Sequence, residues 1–194
     1  SIMRILITGN SKLAKYLGDE LKYDGHAIHH CRFEDNIVWQ TFDVFINCAH
    51  VDWEQSKMLY EAFKAYRYDD SKTIINISSR AVQPNISKGY LYAAQKSSLR
   101  HLSNNLTYNS DKRCKVSTVH LGLLEHDDLP SLDYVEVLGF VKMIAFRTDN
   151  IDIPEITIQH KANYQEVQSE KALLLETDEF FDQLYPDKVP EKIH

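Results

Sequence analysis

Short apolar runs alternate with amphipathic stretches along most of the chain. Arg4-Ile-Leu-Ile-Thr8 is an apolar run that ends at Gly9 and reads as a buried strand. Leu13, Leu17 and Leu21 recur at four-residue spacing, which predicts a helix over Lys12 to Lys22 with one apolar stripe. Gly25 stands just beyond, where a helix stop is expected, and His26 to Cys31 reads as a second strand. The alternation continues with a strand over Asp43 to Ala49. Asp52-x-x-Gln55 then has the form of a capping box, followed by Leu59, Ala62, Phe63 and Tyr66 at helical spacing. Thr73 to Ser79 is a buried strand. Leu91 to Leu106 is a helix whose apolar stripe is Leu91, Leu99, Leu102 and Leu106, interrupted by Gln95. Lys115 to Leu121 is a strand, Tyr134 to Arg147 a helix, and Glu155 to His160 a last strand.

Strands that alternate with helices predict a doubly wound parallel sheet in a three-layer α/β/α arrangement. Only ten residues separate Arg32 from Asp43, too few for a helix plus a strand. One unit of the sheet is therefore shortened or missing after the second strand. Ligands in such sheets sit beyond the carboxyl ends of the strands. The informative positions are Gly9 to Leu13, Arg32, Asn47 to His50, Ser78 and Ser79, and Gly122 onward. Past His160 the chain is acidic, with a helical pattern over Glu166 to Leu175 and aromatics at Phe180, Phe181 and Tyr185. We expect one domain over residues 1–194, with residues 161–194 as a C-terminal extension packed on it.

Composition narrows the function classes. The 194 residues carry a formal net charge of −6, which argues against a nucleic-acid surface. Three scattered cysteines, Cys31, Cys48 and Cys114, point to a reducing, cytoplasmic setting rather than a disulfide framework. The apolar stretch 135–146 is too short to span a bilayer, and no signal pattern stands at the start, so no membrane partner is expected. Ser1-Ile2 ahead of Met3 reads as a cloning remnant. The cluster His26, His29, His30 and Cys31 offers zinc-type donors. His29 and His30 point to opposite faces of a strand, so no metal is expected there. His120 and His126 read as strand and loop residues, and Trp39 and Trp53 as packing residues. No Gly-x-Ser-x-Gly surrounds Ser79, which argues against a serine hydrolase.

Tyr92 and Lys96 lie four residues apart on one helix face. A neighbouring positive charge favours phenolate and lowers a tyrosine pKa from about 10, which would make Tyr92 a proton donor or acceptor near neutral pH. Spacing alone is weak. Eleven tyrosines and 15 lysines give about one such pair by chance, and four occur: Tyr60/Lys64, Tyr68/Lys72, Tyr92/Lys96 and Tyr108/Lys112. Context separates them. Ser79, at the end of a strand, lies thirteen residues before Tyr92, and the other three tyrosines have Asn47, Gln55 and Gln95 at that distance.

With these residues in view, the chain resembles a short-chain dehydrogenase/reductase over Met3 to His160. The resemblance rests on Thr8-Gly9, Asn47-Cys48-Ala49-His50, Ser79, Tyr92, Lys96, and Val116 to Gly122 as the strand that runs into the family's Pro-Gly. It implies a Rossmann-like NAD(P)-binding domain. Hydride would pass between the nicotinamide and a carbonyl/alcohol substrate. Ser79 would hold the substrate oxygen, Tyr92 would pass the proton, and Lys96 would tune Tyr92 and hold the nicotinamide ribose. The cofactor would contact Gly9, Asn10, Ser11, Lys12, Leu13, Arg32, Asn47, Ala49, His50, Tyr92 and Lys96. The resemblance also implies a homo-oligomer, a dimer, formed through the helix that opens near Tyr92 and the one before Thr73.

Several positions depart from the family pattern. The second and third phosphate-loop glycines would fall at Leu13 and Lys15, and only six glycines occur in the chain. His50 replaces the glycine of the second turn, Leu121 a proline, and no asparagine occupies the family's fourth catalytic position. Arg32 stands where NAD-binding members carry an acid, so NADP(H) is expected over NAD(H). The segment after Gly122 is a short lid, and its Glu125, His126, Asp127 and Asp128 read as a solvated loop. These departures also fit a second class of function, a cofactor-binding sensor or interaction module without catalysis. The intact Ser79, Tyr92 and Lys96 favour the enzyme.

Overall fold

The computed structural model describes residues 1–83 and 89–162. The expected packing of residues 163–194, with the helix over 166–175, lies outside them. Six strands form one parallel sheet: β1 (Arg4–Thr8), β2 (Ala27–Cys31), β3 (Val44–Asn47), β4 (Thr73–Ser79), β5 (Lys115–Leu121) and β6 (Glu155–Ile158). Their order across the sheet is β2-β1-β3-β4-β5-β6. Four helices cover it: α1 (Lys12–Tyr23), α2 (Glu54–Tyr66), α3 (Tyr90–Tyr108) and α4 (Tyr134–Ala145). This is the expected doubly wound α/β/α sheet. Between β2 and β3 stands only a single 3-10 turn, Trp39–Thr41, so the shortened unit is where its length placed it. Among the described residues no helix is long and apolar enough to cross a membrane.

The two faces of the sheet bury different cores. Ile5, Ile7, Ile46, Ile75, Val119 and Leu121 pack under α1 and α4, which contribute Leu13, Leu17, Leu21, Val137 and Val141. Leu6, Phe45, Ile74 and Val116 pack under α2 and α3, which contribute Met58, Leu59, Phe63 and Leu99. The stripe of α3 differs from the expected one. Leu91 is 68% exposed, while polar Lys96 and Ser103 are buried. Helical spacing places residues on a common face, but the elements packed against it decide which face turns inward.

The start of α2 differs too. Trp53 is its N-cap without a side-chain bond, and Asp52 sits at φ 48, so the capping box is not formed. Gln55 turns inward instead. Asp133 and Glu136 form a capping box at the start of α4, and the Ser11 hydroxyl caps α1 by accepting from the Ala14 N–H.

From β1 the chain runs through α1 to β2 on one side, whereas β3 lies on the other side of β1. That divergence opens a crevice beyond the carboxyl ends of β1 and β3. Two contacts shape its floor. The Thr8 hydroxyl accepts from the N–H groups of Cys48 and Ala49 at 3.0 and 3.3 Å, tying the turn after β3 to the end of β1. Gly9 has φ +94, and a Cβ there would lie 2.8 Å from the Ala49 Cβ. Gly25 has a similar φ of +98 but open space around it. Gly25→Ala is therefore expected to lower stability by about 1 kcal/mol through backbone strain alone. Gly9→Ala is expected to cost clearly more, about 2–3 kcal/mol, because overpacking is added. Urea unfolding midpoints of the two variants check the order.

Candidate active site

A cleft of about 920 Å³ opens at this crevice, within the size range of small-molecule sites. It runs from the end of β2, past the start of α1 and the turn after β3, to the end of β4 and the first turn of α3. Gly9, Asn10, Ser11, Lys12, Leu13, Arg32, Ala49, His50, Ser79, Tyr92 and Lys96 all line it. Asn47 does not. It is fully buried beneath the turn, and its amide donates to the Gln55 carbonyl and to Asn76 Oδ1 at 2.9 and 3.0 Å. The expected Asn47 contact with a cofactor is thus replaced by a scaffolding role, because the side chain points down into the α2–α3 layer.

At one end of the cleft, Ser79 closes β4 and Tyr92 stands in the first turn of α3. Both line the cleft. Burial pushes the Tyr92 phenol above its ordinary value, and the neighbouring Ser79 side chain pulls it back. Lys96 sits one turn further on, with Nζ 5.7 Å from the Tyr92 ring centroid. The expected acidification of Tyr92 by this amine is not what the geometry gives. The ammonium donates to Gln55 Oε1 at 2.8 Å and to the Ile77 carbonyl at 3.4 Å. Burial lowers the Lys96 amine to about 8.

Gln55 is the residue that sequence reasoning missed. It is 2% exposed, and its Nε2 donates to the Asn47 and Ile77 carbonyls at 2.8 and 2.7 Å. With both amide hydrogens held by main-chain acceptors, only its oxygen remains for Lys96. Its position at the start of a helix suggested a cap. The available signal was that Asp52-x-x-Gln55 precedes a helix whose apolar stripe, extended one turn back, passes through position 55. The polar layer continues through Asn76 Nδ2 to Thr118 Oγ1 at 3.1 Å, and from Thr118 Oγ1 to Ser103 Oγ at 2.9 Å. His120 is buried at its edge and hydrogen-bonds Glu155 at 2.6 Å through Nε2.

His50 crosses from the turn after β3 to α3. Its ring lies 4.8 Å from that of Tyr92, and Nε2 is 2.9 Å from Gln95 Oε1. At the other end of the cleft, Arg32 is exposed and makes no ion pair with Glu34 or Asp35, although its N–H donates to Asp35 Oδ2 at 2.8 Å. The N–H groups of Lys12 and Leu13 occupy the first helical positions of α1, where no carbonyl lies one turn back, and they border the cleft. Cys48 also lines the cleft, and burial raises its thiol to about 11.

The segment after β5 presents Leu123 and Leu124 to the cleft, not its polar residues. Glu125 accepts from the Tyr134 N–H at 2.7 Å, and His126 Nδ1 accepts from the N–H groups of Asp128 and Leu129. His29 tilts against Phe42, while His30 packs on Gly18 of α1, so the two do face opposite sides. Among the described residues no group of three or more His, Cys, Asp or Glu side chains is placed to hold a metal.

The chain matches no protein-family model and no curated protein. Solved structures do match. A serine dehydrogenase from Escherichia coli superposes with a TM-score of 0.63 at 15% identity, over 81% of this chain and 97% of that one. A gluconate 5-dehydrogenase from Burkholderia cenocepacia in complex with NADP and tartrate gives 0.65 at 15%, over 80% and 93%. A metagenomic short-chain oxidoreductase in complex with NADP gives 0.56 at 18%, over 80% and 85%. At these identities the likeness is one of fold, and the fold is the one these short-chain oxidoreductase structures share.

The burial of Lys96 sets a pH dependence. Below pH 8 the Lys96 amine is charged in both folded and unfolded chains, and its full burial cost is felt. Between about pH 8 and 10.5 the unfolded chain binds more protons at this site, so its contribution to stability rises with pH. The stability difference between Lys96→Met and the unaltered protein is expected to shift by about 3 kcal/mol across that window. Urea unfolding of both proteins at pH 7.5 and 10.5 measures it. Gln55→Leu, which leaves a buried ammonium and two carbonyls without partners, is expected to destabilise by about 3 kcal/mol or more at pH 7.5.

Proposed function

We propose that this protein is an NADP(H)-dependent oxidoreductase of the short-chain dehydrogenase/reductase type, acting on a carbonyl/alcohol pair. The observation that carries the reading is the convergence of Ser79, Tyr92 and Lys96 on one cleft, with Lys96 Nζ 5.7 Å from the Tyr92 ring centroid. The structural neighbours solved with NADP support the cofactor class.

The cleft residues fit a dinucleotide. The free N–H groups at the start of α1 and the positive end of its dipole suit a pyrophosphate, with Gly9, Asn10, Ser11, Lys12 and Leu13 around it. Leu13 replaces a glycine, but its side chain turns into the core under α1, so the backbone stays open to the cleft. Ala49 and His50 border the nicotinamide end, and Lys96 and Tyr92 the adjoining ribose. Arg32, without a carboxylate partner among the described residues, suits a 2′-phosphate. When bound, the nicotinamide cofactor supplies or accepts the hydride.

The chain's own residues then manage the oxygen and its proton. Ser79 donates a hydrogen bond to the substrate oxygen and orients the carbonyl. Tyr92, held protonated by burial, gives its proton to that oxygen as the carbonyl is reduced, and takes it back in the reverse direction. Lys96, anchored by Gln55, supplies positive charge below the ring and favours the phenolate at the moment it forms. Leu123 and Leu124 shield the reacting end from water.

Tyr92→Phe is expected to lower turnover about 10³-fold while leaving NADPH affinity within threefold. Arg32→Ala is expected to weaken NADPH binding 10- to 100-fold and NADH binding little. NADPH fluorescence titration and steady-state oxidation over a carbonyl panel measure both. Retained full activity in Tyr92→Phe overturns the proton role, and NADPH binding without turnover of any carbonyl favours the sensor reading. We also propose a dimer through the exposed faces of α2 and α3, where Trp53, Tyr60 and Leu91 lie open, and light scattering at twice the chain mass is the expected result.

A further inference from the structure

We propose that His50 is a substrate-binding residue, a neutral imidazole whose Nδ1 accepts a hydrogen bond from a hydroxyl next to the reacting carbon. The substrate class is then an α-hydroxy carbonyl compound or the matching vicinal diol. The inference rests on the oxidoreductase reading above and names the substrate class of that same site.

Three features carry it. First, His50 is placed at the reacting group. Its ring lies 4.8 Å from the Tyr92 ring at an interplanar angle of 56°, and both line the cleft. With the substrate oxygen held by the Ser79 and Tyr92 hydroxyls, a substituent on the adjacent carbon comes within reach of a ring packed against Tyr92. Second, the hydrogen-bonding capacity of the imidazole is defined. Nε2 lies 2.9 Å from Gln95 Oε1, an oxygen that only accepts, so Nε2 carries the hydrogen and Nδ1 carries a lone pair. Nδ1 has no partner among the described residues. Third, the imidazole stays neutral. Burial and the Lys96 ammonium keep its pKa below the ordinary value, against weaker opposing effects of Gln95 and Asp52.

The remaining neighbours at this end sharpen the class. Val51, Leu123 and Leu124 are apolar and suit the carbon skeleton of a substrate, so the polar substituent is directed to His50. A neutral acceptor recognises a hydroxyl rather than a carboxylate, because two acceptors facing each other repel. A plain ketone leaves Nδ1 without a donor in a partly desolvated site, so the hydroxylated partner is favoured by about tenfold in kcat/KM.

The experiment uses the full chain and matched ketone pairs, hydroxyacetone with acetone and acetoin with butanone, with NADPH oxidation as the readout. The wild type is expected to favour the hydroxylated member about tenfold. In His50→Phe, which keeps an aromatic ring against Tyr92 but offers no acceptor, the ratio is expected to fall to about one. In His50→Asn, which restores an acceptor, part of the ratio is expected to return. The 15N spectrum of the His50 imidazole in the unaltered protein gives a readout free of turnover, and an Nε2–H tautomer is expected. An Nδ1–H tautomer overturns the assignment. So does a wild type that binds NADPH yet reduces both members of each pair equally, or neither, and so does a ratio that survives in His50→Phe. A wild type that neither binds NADPH nor reduces any carbonyl overturns the oxidoreductase reading itself, and this inference with it.

Discussion

One carboxamide joins four elements of this fold. Gln55 on α2 gives its two amide hydrogens to carbonyls of β3 and β4, and its oxygen takes the ammonium of Lys96 from α3. Its own main-chain carbonyl accepts from Asn47, which ties the helix start back to β3. Among the described residues no carboxylate completes the arrangement. The ammonium is held by neutral dipoles, and burial lowers its pKa to about 8. A carboxylate at the same place would fix the charge firmly and oppose that fall. The amide instead supports the amine in position and leaves its charge responsive to whatever enters the cleft.

The sheet has a gradient along its strands on the face covered by α2 and α3. The earlier positions, Leu6, Phe45, Ile74 and Val116, pack an apolar core. Two residues further along the same face come Thr8, Asn47, Asn76 and Thr118, all buried and all hydrogen-bonded to one another or to their neighbours. The opposite face is more apolar, through Ile7, Ile46, Ile77 and Leu121, with Ser117 buried in it and Ser79 at the end of β4. One end of one face therefore carries most of the polar groups, and it is the end at which the cleft opens. Burying so many polar atoms is tolerable because each pairing satisfies two of them at once.

That gradient explains what the sequence made legible. Apolar alternation and run length revealed the strands, the helices, the sheet class and the shortened unit, because those features depend on local periodicity. Thr8-Gly9, Ser79, Tyr92 and Lys96 were legible as a set because each sits at a predictable place relative to a strand or helix end. What stayed hidden depends on partners distant in the chain. Gln55 resembles a cap when read with Asp52, and becomes an anchor only when β3, β4 and α3 are beside it. Asn47 sits at the right register for a ligand contact but faces down, into Asn76. Leu91 has the spacing of the expected α3 stripe but is exposed, because the buried face of the helix runs through Lys96, Leu99 and Ser103 instead. The direction of the Lys96 ammonium follows from Gln55 and could not be read from a four-residue spacing.

Tyr92 and Lys96 are shifted in opposite directions by a single cause. Burial disfavours the charged form of each, raising the phenol and lowering the amine. Near neutral pH the phenol is therefore protonated and the amine still carries its charge, which is lost as pH rises past about 8. In the proposed reaction, proton transfer from Tyr92 would create a phenolate in a site that resists lone negative charge. That cost falls as positive charge is retained on Lys96, 5.7 Å from the ring. Each shift by itself would make its group a poorer participant. In the proposed reaction the charge that burial penalises on one would relieve the penalty on the other.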